Sequence, residues 1–193
     1  ITSDTAVAVV EAKLKVWNAL QYERVGLNLR PELVALKDVN GDGIAFATLA
    51  KLIAETSEFN LILMSESAEI IAGAVAVAGF KRPLIYAATA ANVDAFGKIA
   101  LDNGLPLAVK ADSIDGLITL TDKLVGMGLK DLVLDSGARE VKQALEDQVA
   151  ARGEHRAEAD IAAFEQRAPV RARLAAEDVG ELALECRPGG RVA

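Results

Sequence analysis

Charged and polar side chains follow short aliphatic runs in this sequence, at positions where chemistry is possible. A lysine held beside a carboxylate in a dry site can form a Schiff base with a carbonyl substrate, and two carboxylates can act as acid and base. The simpler interpretation, which we prefer, is that these groups cap helices and bridge loops, so no residue is assigned as catalytic. The candidates are Lys37, Asp38, Asn92, Lys110, Asp112 and Asp135.

The segment DVNGDG, residues 38–43, matches the first half of a calcium-binding loop, with oxygen ligands at alternate positions. The glutamate that completes such a loop would stand at position 49, which is Leu49. We therefore interpret the segment as a turn between a strand and a helix, with Asn40 or Asp42 as the cap of that helix.

Five aliphatic runs supply the strands that would position these side chains. Their starts are 28, 22, 23 and 26 residues apart, and segments with helical periodicity separate them. This even spacing predicts consecutive strand–helix units around a parallel sheet. The runs begin at Leu33, Leu61, Pro83, Pro106 and Leu132.

The ends of the predicted elements carry further signals. Residues 1–3 are predicted as the stub of an earlier strand, and Asp4 as the N-cap of a first helix. Gly128 follows an apolar helical pattern and suits a left-handed C-terminal cap. Val141, Leu145 and Val149 repeat every four residues and predict another helix.

An open doubly wound sheet and a closed barrel both fit alternating strands and helices. The regular spacing and the lack of a glycine-rich first turn favour the barrel. We therefore predict an α/β fold, a partial (β/α)8 TIM barrel with parallel strands and about five to six βα units. Because a closed barrel needs more strands, and because the chain begins with Ile1, we expect a fragment of a larger protein.

Composition excludes several classes of partner. A formal net charge of −7 argues against a nucleic-acid backbone or an anionic membrane surface. The longest apolar stretch is too short to span a bilayer. With a single cysteine, Cys186, no internal disulfide can form, and a cytoplasmic location is expected.

The end of the chain differs in composition from the rest. All ten lysines precede residue 150, whereas seven of the eleven arginines follow residue 151. We predict a barrel fragment over residues 1–152 and an atypical tail over residues 153–193, either disordered or translated out of frame.

Several segments resemble, in order, the large (gamma) subunit of the corrinoid iron–sulfur protein in the acetyl-CoA decarbonylase/synthase system. The resemblance covers roughly residues 1–152, and KRPLIYAAT followed by Asn92 and the KDLVLDSG turn are its most specific parts. The segments are ELVALKDVNGD, LILMS, KRPLIYAATAANVD, LPLAVKAD and MGLKDLVLDSGAREVKQALEDQVAAR.

The resemblance implies that this region is the middle TIM barrel of a three-domain subunit. The other domains would hold a four-iron four-sulfur cluster and a corrinoid (cobalamin), whose cobalt carries a methyl group. The implied partners are the small (delta) subunit and, transiently, a methyltetrahydropterin methyltransferase and acetyl-CoA synthase. The cysteine motif of the cluster is missing, so no cofactor ligand or metal ligand is assigned to any residue here.

The function implied by the resemblance is a scaffold and partner-binding domain of a methyl carrier, not catalytic by itself. The alternative is a free-standing barrel enzyme. It would be a pterin-dependent methyltransferase, or a Schiff-base aldolase that uses Lys37 or Lys110.

Overall fold

The structure, a computed structural model, describes residues 1–149 and divides into two units, residues 1–140 and residues 141–193. In the second unit the described residues, 141–149, are helical, which confirms the helix predicted from the four-residue spacing. The predicted boundary at residue 152 and the tail beyond it lie outside the described residues. All further description concerns the first unit.

The first unit begins with helix α1 (Val7–Asn18) and a hairpin of strands β1 (Tyr22–Arg24) and β2 (Leu27–Leu29). The turn residues Val25 and Gly26 have φ angles of +51° and +75°, the left-handed pair that a tight hairpin turn requires. Asp4 does not cap α1, so that prediction is wrong. The cap position is Ala6, without a side-chain hydrogen bond.

Five parallel strands form the central sheet, and each strand pairs with its neighbour in the chain. All five aliphatic runs are confirmed as strands, because their β-branched and leucine side chains suit a sheet covered by helices. They are β3 (Leu33–Lys37), β4 (Asn60–Met64), β5 (Leu84–Ala88), β6 (Leu107–Lys110) and β7 (Leu132–Asp135).

The start of the chain adds to this sheet beside β3, as predicted. Thr2 forms a parallel bridge with Lys37, and the Ser3 amide donates to the Lys37 carbonyl at 2.8 Å. The Lys37 amide in turn donates to the carbonyl of Ile1 at 2.9 Å. Residues 1–3 therefore occupy the place of a strand that precedes β3.

Four helices connect the strands, and their ends carry recognisable caps. The helices are α2 (Gly43–Thr56), α3 (Ala68–Ala78), α4 (Val93–Asn103) and α5 (Ile114–Gly126), with a short 3₁₀ turn at Gly79–Lys81. Ser67 and Ser113 accept hydrogen bonds from the first turns of α3 and α5. Gly128, with φ +100°, follows the end of α5 in the predicted left-handed conformation.

The core lies between the helices and one face of the sheet. Leu36, Leu63, Ile85 and Leu107 form a row across four strands and are fully buried. On the opposite face, side chains such as Ile62 are only half-buried. A barrel buries this second face by closing on itself.

The strand order distinguishes the two architectures. A doubly wound sheet reverses direction partway along the chain, whereas this sheet runs from β3 to β7 without reversal. Right-handed crossovers then place every connecting helix on the same face. The structure is therefore α/β and consistent with a partial TIM barrel. No helix within residues 1–149 is both long and apolar enough to cross a membrane.

Candidate functional site at the carboxyl ends of the strands

One row of side chains lies at the carboxyl ends of the strands, on the face opposite the helices. The register pairs Lys37 with Met64, Met64 with Tyr86, and Lys110 with Asp135. Parallel strands place their carboxyl ends at the same edge, where barrel enzymes bind substrates. This row contains three of the six predicted candidates and also Tyr86, which the sequence does not single out.

Tyr86 and Asp135 form the strongest polar contact of the row. The Tyr86 hydroxyl on β5 donates to Asp135 Oδ2 on β7 at 2.5 Å, so the bond spans the intervening strand β6. Arg139 donates to both carboxylate oxygens of Asp135, at 3.3 and 3.4 Å, and the Gly137 amide donates to Oδ1 at 2.9 Å. Asp135 thus joins two strands and the loop that follows β7.

These contacts set the ionisation of the pair. Burial by itself would raise the pKa of Asp135, but the hydrogen bonds from Tyr86, Gly137 and Arg139 outweigh burial and lower it below its ordinary value of 3.8. Burial and the bond to Asp135 raise the pKa of Tyr86 above 10.0. At neutral pH the contact is therefore a phenol that donates to an ionised carboxylate.

Gly137 brings the ends of β6 and β7 together. Its φ is +74°, and a Cβ at this position would lie 3.2 Å from the Ala111 carbonyl oxygen and 3.4 Å from Asp112 Oδ1. The same Cβ would lie 3.9 Å from Cε of Lys110. Lys110, Asp112 and Asp135 are thereby gathered around one loop, as their shared edge predicts.

Asp38 forms a second, separate bracket at the other side of the sheet. Its carboxylate accepts hydrogen bonds from the Ser65 hydroxyl at 2.9 Å and the Gly41 amide at 3.0 Å, with the Ser3 hydroxyl at 3.4 Å. No hydrogen bond or ion pair within residues 1–149 joins Asp38 to Asp135. Asp38 holds the start of the chain and the end of β4 in place.

The turn after β3 caps helix α2. Asp42 Oδ1 accepts from the amides of Ile44 and Ala45, each at 3.0 Å, which confirms the prediction of a cap at Asn40 or Asp42. Leu49 is almost fully buried in the core. The position of the missing calcium ligand is thus used for packing.

Asn92 organises the turn after β5. Its side-chain oxygen accepts from the Thr89 amide at 2.6 Å and from the Thr89 hydroxyl at 3.2 Å. The Asn92 amide group donates to the Ala87 carbonyl at 3.5 Å. Asn92 therefore holds the backbone between β5 and α4, and its polar atoms are engaged locally.

The two lysines of the row differ in their surroundings. Lys37 is exposed at the end of β3, whereas Lys110 is half-buried beside Gly137. Neither amine has a hydrogen bond or an ion pair with another residue of the described part of the chain. A carbonyl compound that entered the barrel mouth would reach Lys110 only past the loop that follows β7.

Metal and cofactor binding need donor sets that the described residues do not form. Among residues 1–149, no three histidine, cysteine, aspartate or glutamate side chains converge on one point. A four-iron cluster needs four cysteine thiolates, and the whole chain has one cysteine. The residues present therefore do not fit an iron–sulfur cluster.

Comparison with known proteins places the chain among subunits of one enzyme complex. It is 36% identical over 138 residues to the corrinoid/iron–sulfur protein large subunit of Moorella thermoacetica, which covers 72% of this chain and 31% of that protein. It is also 36% identical over 147 residues to the acetyl-CoA decarbonylase/synthase complex subunit gamma 2 of Methanosarcina thermophila, covering 76% of this chain and 31% of that subunit.

The family model named CO dehydrogenase/acetyl-CoA synthase delta subunit matches residues 2–166, most of the chain. The matched segment therefore has counterparts in proteins named as gamma, large and delta subunits. The chain spans about a third of the length of these relatives. By this match, the chain belongs to the CO dehydrogenase/acetyl-CoA synthase delta subunit family (CdhD), as the resemblance of its strand-end motifs predicts.

Proposed function

We propose that this chain is the scaffold and partner-binding barrel of a corrinoid iron–sulfur methyl carrier. In that role it helps a methyl group pass from a methyltetrahydropterin methyltransferase to acetyl-CoA synthase. The small (delta) subunit is its stable partner, and the two enzymes bind transiently. The relatives carry the names of a corrinoid/iron–sulfur protein and of complex subunits, which supports the proposal.

One observation carries the scaffold role. The carboxylates at the strand ends, where a barrel enzyme would keep its acid and base, are each engaged in holding the fold together. Asp38 joins the chain start to β4, and Asp135 joins β5 to the loop after β7. These hydrogen bonds favour a rigid body that presents surfaces over a site that turns over substrate.

The cofactors of the carrier belong to other parts of the full-length protein. Residues 1–149 contain neither cysteine nor histidine, so they lack the side chains that commonly ligate clusters and haem-like metals. The corrinoid and the four-iron cluster would supply nucleophilic cobalt chemistry and electrons. This domain would hold those parts and the delta subunit at suitable distances. We place the complex in the cytoplasm.

Co-expression tests this function directly. The chain is produced together with the delta subunit of the same organism and purified through a tag on the delta subunit. We expect a stoichiometric complex that survives size exclusion at micromolar concentration. If the chain folds but stays separate from the delta subunit at that concentration, the scaffold function is refuted.

A further inference from the structure

The hairpin of β1 and β2 has one apolar face and one polar face. Tyr22 lies opposite Leu29 and Arg24 opposite Leu27, so these four side chains share a face. Glu23 and Asn28 lie opposite each other on the other face. This alternation is typical of a sheet that buries one side against another surface.

The apolar face is uncovered in this chain. Tyr22, Leu27 and Leu29 are 58%, 65% and 38% exposed, and every residue from 18 to 30 is exposed. The hairpin forms its own two-stranded sheet, apart from the five-stranded one. Because a two-stranded hairpin is marginally stable alone in water, such a hairpin needs a surface to pack on.

Neighbouring features extend this uncovered surface. Helix α1, which leads into the hairpin, exposes Val9 and Val16 on one line along its axis, and Leu20 follows just beyond its end. A cavity of about 250 Å³ opens at the foot of the hairpin, lined by Trp17, Gln21, Arg30 and Phe59 among others. A protruding apolar hairpin next to a recess is the shape of a specific protein interface.

We propose that the apolar face of this hairpin is the surface that docks the delta-type subunit, an inference that rests on the function proposed above. The matched family model covers the hairpin and is that of a delta subunit, whereas the most similar relatives include gamma subunits of the same complex. Both kinds of subunit therefore contain this segment. Two homologous subunits in one complex favour a pseudo-two-fold pairing, in which the same patch is used from both sides.

The two faces of the hairpin provide a matched pair of variants. The test variant is Tyr22→Ser with Leu27→Ser, and the control is Glu23→Ser with Asn28→Ser. Both replace two hairpin residues by serine and leave the turn at Val25 and Gly26 intact. All four side chains are exposed, so the thermal unfolding of both variants should match that of the parent chain.

The measurement is the affinity of each full chain for the purified delta subunit, by titration calorimetry. We expect the test variant to bind at least about 100-fold more weakly, because truncated aromatic and leucine anchors dominate interface energies. The control should bind within about threefold of the parent chain. Equal affinity of the two variants overturns the docking surface.

Two further outcomes separate this inference from the proposed function. If the parent chain does not bind the delta subunit at all, the proposed function fails, and the docking surface fails with it. If the parent chain forms a homodimer that only the test variant disrupts, while delta binding is unchanged, the occupant is a second copy of the chain. The inference is then wrong, although the proposed function stands.

Discussion

Removal of the Tyr86 hydroxyl tests whether the bond across β6 holds the carboxyl edge of the sheet. The variant Tyr86→Phe keeps the ring and removes the donor 2.5 Å from Asp135 Oδ2. A hydrogen bond to a charged group contributes about 1.5–3 kcal/mol. Asp135 is 22% exposed and retains Gly137 and Arg139 as donors, so it is not left without a partner.

We therefore expect a loss near the lower end of that range, roughly 1.5 kcal/mol of unfolding free energy. For a chain of this size the melting temperature should fall by about 3–6 °C. Urea unfolding at neutral pH, followed by circular dichroism, measures the free energy. The chain's other tyrosine supplies the control, since Tyr22 is 58% exposed and Tyr22→Phe should change stability by less than about 0.3 kcal/mol.

The pH dependence gives a second, independent check. The pKa of Asp135 is lowered in the folded chain, so its stabilising contribution is present above the ordinary value of 3.8 and is lost as the pH falls through the folded value. The difference between wild type and Tyr86→Phe should shrink as the pH is lowered from about 7 to about 3. A difference that is the same at both pH values, or absent at neutral pH, would refute the account of Asp135 as an ionised acceptor.

Three other outcomes follow from the geometry. Gly137→Ala should cost more than the roughly 1–2 kcal/mol expected for a left-handed alanine, because its Cβ would meet the Ala111 carbonyl oxygen at 3.2 Å. Gly104→Ala, at φ +61° with open space around it, should cost only the conformational part, and equal losses in urea unfolding would contradict this. Asp42→Ala removes the cap of α2 and should destabilise the chain by about 1 kcal/mol, seen as a lower urea midpoint with an unchanged slope. Borohydride reduction in the presence of small aldehydes should leave Lys37 and Lys110 unlabelled by mass spectrometry, whereas selective labelling of Lys110 would revive the aldolase alternative.

The strands were predictable because each aliphatic run is long enough to be read from local composition. The turn at Asp42 was also predictable, since a cap and the helix it caps are adjacent in sequence. In contrast, the Asp4 prediction failed because residues 1–3 pair with β3, and α1 begins only at Val7. Long-range strand pairing at the chain start overrides the local preference for a cap.

The hairpin and the Tyr86 contact illustrate what local signals omit. Its turn is Val25–Gly26, and valine is rare in the left-handed region, so the usual Asn-Gly or Asp-Gly signal is absent. Tyr86 lies inside an aliphatic run and reads as a core residue, while its partner Asp135 is 49 positions away in the chain. A signal was available only in the position of Asp135 at a strand end, without its donor.

The order of the strands also determines how the sheet assembles. Thr2 pairs beside β3, and every later strand pairs with its predecessor, so most sheet contacts join segments separated by a single helix. Low contact order of this kind favours rapid folding, and a chain that grows from its N terminus can add each unit to a template already formed. Amide protons of β4 and β5, which have paired strands on both sides, should exchange with solvent more slowly than those of β7, the last strand of the described sheet.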